Sequence, residues 1–89
     1  MKRLDGKRVV ITGAASGLGR ALAVALAHKG CRIGIVDIDM DGAAETLRMV
    51  DRAGGRGETY RLDVRVAIDW EDMAEHFFKS WGGVDVLIN

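Results

Sequence analysis

Two rhythms of apolar and polar residues alternate along the chain. Short continuous apolar runs, V-V-I at 9–11, I-G-I-V at 33–36 and V-D-V-L-I at 84–88, have the character of strands covered on both faces. With a further segment before Asp63, they predict strands at about Arg8–Thr12, Arg32–Val36, Glu58–Leu62 and Val84–Ile88. Between them the apolar spacing lengthens to the helical period and predicts helices near Leu18–Lys29, Asp39–Ala53 and Val66–Trp81. The first helix is expected to bury Leu18, Leu22, Ala25 and Leu26, and the second Ala43, Leu47 and Val50. The third carries Trp70, Met73, Ala74, Phe77 and Trp81 on one stripe. Asp39 or Asp41 caps the second helix and Gly54-Gly55 ends it. Strand and helix in strict alternation predict an α/β fold with a parallel sheet. Right-handed crossovers set its strand order at 3-2-1-4, one half of a doubly wound sheet.

Composition narrows the class. The 89 residues make one small domain, 48% hydrophobic and 29% charged, with formal net charge zero. Acids and bases are interspersed, so there is no electrostatic case for nucleic acid or an anionic membrane. The apolar run Ala21–Ala27 is far shorter than the roughly 20 residues of a membrane span. The N-terminal M-K-R-L-D-G-K-R has no apolar stretch behind its basic residues, so no signal peptide is read there. The single cysteine, Cys31, excludes an intramolecular disulfide, and no Cys/His spacing points to a metal. A cytoplasmic setting is expected, with Cys31 a buried small hydrophobe. His28, in the last turn of the first helix, and His76, with no partner at ligand spacing, are expected to carry no chemistry.

The candidate chemistry begins where the first strand runs through V-V-I-T-G-A-A-S-G-L-G-R into a helix. Unpaired N–H groups and the positive end of a helix dipole meet at that point, which makes an anion site. Gly13 is expected to allow the tight turn, Gly17 the approach of backbone to phosphate, and Gly19 close packing of the helix. Thr12 and Ser16 add hydroxyls. The spacing is G-x-x-x-G-x-G, and no Gly-Lys-Ser/Thr follows to make a P-loop. Taken alone, such a loop also fits a structural turn or another nucleotide site.

Asp37 sharpens the reading. It ends the second strand, where a carboxylate accepts hydrogen bonds from the adenosine ribose of a dinucleotide. Hydrogen bonds to a charged group contribute roughly 1.5–3 kcal/mol. A 2′-phosphate about 4 Å away would instead meet repulsion on the order of 4 kcal/mol per charge pair before screening. Neither Ala15 nor Ile38 supplies an offsetting cation. The expected cofactor is NAD in preference to NADP.

The run G-K-R-V-V-I-T-G-A-A-S-G-L-G-R, together with Asp37, L-D-V at 62–64 and D-V-L-I-N at 85–89, resembles the N-terminal part of a classical short-chain dehydrogenase/reductase. The family's T-G-x-x-x-G-x-G is matched by Thr12, Gly13, Gly17 and Gly19. Its adenine-contacting Asp is matched by Asp63 with Val64 beside it, and the first residue of its N-N-A-G by Asn89. The resemblance implies a Rossmann-type sheet of which residues 1–89 form the N-terminal, dinucleotide-binding half. It also implies a cofactor-contacting set of Gly13, Ser16, Gly17, Leu18, Gly19, Asp37, Ile38, Asp63, Val64 and Asn89. Leu18 would lie beside the cofactor with its N–H toward phosphate.

The same resemblance places the catalytic Ser, Tyr and Lys downstream of the Asn motif. Tyr60 is followed four residues later by Val64, so no catalytic residue is assigned. The parent protein is expected to be an oxidoreductase that moves hydride between nicotinamide and a small alcohol or carbonyl substrate. It is expected to form a homo-oligomer. The 89 residues are expected to be part of a longer protein and to be inactive alone, with the open strand at Val84–Ile88 inviting self-association. Two other readings stand beside this one: a non-catalytic dinucleotide-binding module, and an adenosylmethionine-dependent methyltransferase, whose loop normally has alternating glycines.

Overall fold

A computed structural model describes residues 4–89; residues 1–3 of the basic N-terminal stretch lie outside it. Four parallel strands form the sheet: β1 (Arg8–Thr12), β2 (Arg32–Asp37), β3 (Arg56–Arg61) and β4 (Val86–Ile88). The helices α1 (Gly17–His28), α2 (Met40–Arg52) and α3 (Ala67–Trp81) connect them in turn. Strand order is β3-β2-β1-β4, as the crossover rule requires.

The apolar runs at 9–11 and 33–36 follow from strands covered on both faces, whereas in the run at 84–88, expected to be covered likewise, Val84, Val86 and Leu87 are exposed because β4 is an edge strand. Val9, Ile11, Ile33 and Ile35 point to one side, beneath α1 and α2, with Ala23, Ala27, Ala43 and Val50. Val10, Val36 and Leu62 point to the other and meet Met73, Phe77 and Trp81 of α3. Gly34 makes the second face possible, because a Cβ there would stand 3.0 Å from the Phe77 ring and 3.1 Å from Val10 Cγ2.

Four elements depart from the sequence reading. In α1 the buried residues are Ala23 and Ala27; Leu22 and Leu26 only flank the core, Ala25 is exposed, and Leu18 is 76% exposed. Small residues at 23 and 27 form the inner face, which lets the helix approach the sheet more closely than leucines would. In α3, Met73, Phe77 and Trp81 are buried as expected, but Ala74 is exposed and Trp70 only half-buried. β3 runs from Arg56 to Arg61 rather than from Glu58 to Leu62, because Arg56 and Gly57 already pair with Arg32 and Ile33. β4 starts at Val86, after Asp85 has been taken by β1.

That last contact joins the first and last strands. Asp85 Oδ2 accepts from Arg8 N at 2.8 Å and Nε at 3.0 Å, and Oδ1 accepts from Nη2 at 3.2 Å. Asp85 N donates to Arg8 O at 2.8 Å. The guanidinium draws the Asp85 carboxyl down from the ordinary 3.8 to about 2. The unfolded chain therefore takes up this proton first on acidification. The pair's stabilisation is complete above about pH 4 and is lost as pH falls from 3.8 toward 2. Asp85→Asn is expected to lower the urea midpoint at pH 7 and to flatten its fall between pH 4 and pH 2.5, which urea titrations at the three pH values will read.

Among the described residues no helix is long and apolar enough to cross a membrane. No group of three or more His, Cys, Asp or Glu residues there is arranged to hold a metal ion.

Candidate functional site

The carboxyl ends of β1, β2 and β3 converge on one opening. A cavity of about 270 Å³ there is lined by Gly13, Val36, Asp37, Ile38, Leu62, Asp63, Val64 and Arg65. Five of the residues expected to contact a cofactor are therefore brought together by strand ends that are 20 or more positions apart in sequence. Parallel strands place all their carboxyl ends on one edge of the sheet, which is where open α/β sheets form clefts.

The glycine loop forms one wall. Gly13 turns the chain out of β1 at φ +70, and Gly17 opens α1 at φ +56 with nothing within 4 Å of where its Cβ would stand. Ser16 takes the N-cap position in extended conformation and makes no side-chain cap. The first N–H groups of α1 are thus left for an outside acceptor. Ser16, Gly17 and Leu18 are exposed beside this helix start rather than lining the cavity. Gly19 packs against the turn itself, its Cβ position falling on Gly13 O and 2.8 Å from Gly13 C. The close packing expected of Gly19 is therefore against the loop backbone of Gly13 and Ala14.

Asp37 is tied into the loop. Its Oδ2 accepts from Ala15 N at 3.0 Å and its Oδ1 from Asp39 N at 3.0 Å. An ionised carboxylate has about four acceptor positions. One remains on each oxygen, a pair of acceptors suited to two neighbouring hydroxyls. Asp39 caps α2, accepting from Gly42 N at 3.0 Å, so the two acids have separate tasks.

A brace beneath the loop escaped the sequence reading. Arg20 donates from Nη2 to Ala15 O at 2.6 Å and Gly42 O at 3.1 Å, and from Nε to Thr46 Oγ1 at 2.9 Å. The buried Thr46 hydroxyl donates to Ala14 O at 2.7 Å. Loop carbonyls that a turn would leave unsatisfied are thereby fixed from α1 and α2. A charged residue in a first helical turn reads as solvent-facing, and the one available signal was Thr46 on the inner face of α2. Thr46→Val keeps the shape but strands the Arg20 and Ala14 groups, so a loss on the order of 1–3 kcal/mol is expected in urea unfolding.

The far wall holds Asp63, whose N–H donates to Asp69 Oδ2 at 3.0 Å. Its carboxylate is engaged by Arg65, which holds the group down at about 2. Asn89 lies outside the cavity; at the end of β4 its Oδ1 accepts from Thr12 Oγ1 at 2.7 Å.

The remaining polar residues belong to the scaffold. Tyr60 stacks 5.0 Å from His76 and 5.8 Å from Phe77, and burial pushes its phenol pKa up, away from what a general base needs. His76, for which no partner at ligand spacing was expected, lies 2.7 Å from Glu58 Oε2 across the β3–α3 packing; Trp81 Nε1 donates to Glu58 Oε1 at 2.6 Å. That contact fastens α3 to β3. Cys31 is buried, with its thiol pKa raised by that burial.

The chain is similar to known proteins along nearly its whole length. A family model described as short chain dehydrogenase matches residues 7–89. The chain is 40% identical over 89 residues to D-threitol dehydrogenase of Mycolicibacterium smegmatis, covering 98% of this chain and 34% of that protein. Among solved structures, it superposes on NAD+-bound xylitol dehydrogenase with a TM-score of 0.91 and 25% identity, covering 96% of this chain and 33% of the other. A 7α-hydroxysteroid dehydrogenase complexed with NADH and 7-oxo glycochenodeoxycholic acid gives 0.92 and 31%, covering 97% and 34%. The chain spans about a third of the length of the relatives it matches.

Proposed function

The chain belongs to the short chain dehydrogenase family, and on that premise we propose that it is the NAD(H)-binding part of an oxidoreductase acting on an alcohol or carbonyl. The observation that carries this reading is the meeting of Gly13, Asp37 and Asp63 around one cavity beside an uncapped helix start. The donor set fits the cofactor. Backbone N–H groups at Gly17–Gly19 would hold the pyrophosphate, and the open acceptor positions of Asp37 the adenosine ribose. Ile38 and Val64 would flank the adenine, with Asp63 toward its edge. Leu18, exposed at the helix start, would lie along the cofactor, while Ser16 offers a hydroxyl nearby. Asn89 and Thr12 join the ends of β4 and β1 on the side of the loop away from that cavity.

NAD(H), when bound, supplies or accepts the hydride. The chain's own residues bind and orient; none of them is assigned a proton transfer. The relatives named above are dehydrogenases of polyols and a hydroxysteroid, which favours an alcohol and its carbonyl as the substrate pair in the whole protein. That protein would carry its acid/base residues in a following half-domain, work in the cytoplasm and assemble from like subunits. The 89 residues are expected to bind cofactor and catalyse nothing.

A thermal-shift comparison tests the reading. A ligand at ten times its Kd stabilises by about 1.4 kcal/mol, a rise of roughly 6–11 °C in a domain of this size. NAD is expected to give such a rise and adenosylmethionine none. The reverse result would favour a methyltransferase, and no rise with either would remove the dinucleotide site.

A further inference from the structure

Arg65 entered the site without any signal in the sequence. It is the only cation among the residues lining the cavity, and its side chain is 80% exposed while that of its partner Asp63 is only 16% exposed. Arg65 N and Nε both donate to Asp63 Oδ1 at 3.0 Å, and Nη2 donates to Oδ2 at 2.9 Å. A two-residue spacing lets one arginine hold the carboxylate from its own backbone and from the fork of its guanidinium.

This arrangement fills three of the carboxylate's roughly four acceptor positions. The fourth, on Oδ2, remains open in a group that lines the cavity. We propose that Arg65 is a positioning residue that fixes Asp63 so that the cavity offers one directed acceptor, selecting adenine over hypoxanthine. The inference rests on the cofactor reading given above. The 6-amino group of adenine donates a hydrogen bond and satisfies the open position. The 6-oxo group of hypoxanthine sets a lone pair against it. Without the fork, the carboxylate turns about its own side-chain torsions and meets water, and a directed acceptor becomes a diffuse one.

The test is a titration of the chain and two variants, Arg65→Ala and Arg65→Lys, with NAD and with nicotinamide hypoxanthine dinucleotide, read by calorimetry. Because Arg65 is largely exposed, both variants are expected to keep the wild-type circular dichroism spectrum. The wild-type chain is expected to prefer NAD by about tenfold or more. Arg65→Ala should bring that preference to about threefold or less, with Arg65→Lys between the two because a single ammonium cannot reproduce the fork. The NAD-to-NADP ratio, set by Asp37, should not move in either variant. A preference unchanged or increased in Arg65→Ala, or absent from the wild type, overturns the proposal while leaving NAD binding intact. Failure of the wild-type chain to bind either dinucleotide overturns the cofactor reading and this proposal with it.

Discussion

Gly19→Ala is expected to abolish NAD binding and to lower the melting temperature more than any other single-methyl change in the glycine loop. The added Cβ would fall on Gly13 O, 2.8 Å from Gly13 C and 3.0 Å from Ala14 Cα. All three are backbone atoms of the turn that forms the anion site. That turn is also held by Arg20 and Thr46, so it cannot shift cheaply. Overpacking of this kind costs about 3 kcal/mol, a large share of what an 89-residue domain has to spare. In a domain of this size the melting temperature should fall by roughly 12–24 °C. Gly17→Ala is the control. Its Cβ would meet nothing within 4 Å but its φ is +56, so the backbone penalty alone applies, about 1–2 kcal/mol. Differential scanning calorimetry of the two variants checks the order; a larger loss for Gly17→Ala would mean that the helix does not seat against the turn.

Asp37→Asn is expected to weaken NAD binding by ~10- to 100-fold and to erase most of the discrimination against NADP. The carboxylate already accepts from Ala15 N and Asp39 N. Its two open positions match the two hydroxyls of a ribose, and an amide has acceptor capacity on one atom only. The 2′-phosphate removes a hydroxyl donor and adds negative charge against Asp37, repulsion on the order of 4 kcal/mol at 4 Å before screening. Arg65, the cation nearest this cavity, is occupied by Asp63, so it offers the phosphate no free charge. Loss of the Ala15 contact also loosens the loop, so NAD affinity should fall even though the fold persists. Titrating the variant with both cofactors reads the change directly; an unaltered NADP-to-NAD ratio would mean that Asp37 does not face the ribose.

The strand order, the seven elements and the glycine loop were all legible in the sequence: the two central strands leave unbroken apolar runs because both their faces are buried, and strict alternation with helices carries the two edge strands. What stayed hidden depended on contacts between distant positions. Periodicity assigned α1 a leucine stripe, whereas close approach to the sheet selected Ala23 and Ala27 instead. Arg20 reads as a surface residue until Thr46 and Gly42, from another helix, come within reach of its guanidinium. His76 has no partner on its own helix, and only the β3–α3 packing brings Glu58 to it. Arg65 follows a recognised Asp-Val pair by one position, yet nothing in composition reveals that it grips Asp63. Around the cavity, Asp37 was singled out from its strand end and Asp63 through the family resemblance; the groups that orient them were not.

The pairing of a helix-start anion site with a strand-end carboxylate is the centre of this account. Calorimetric titration of the chain with NAD and, separately, with NADP tests it most directly. The account predicts saturable one-to-one binding of NAD, tighter than NADP by about tenfold or more. Equal affinities, or no binding of either, would contradict it.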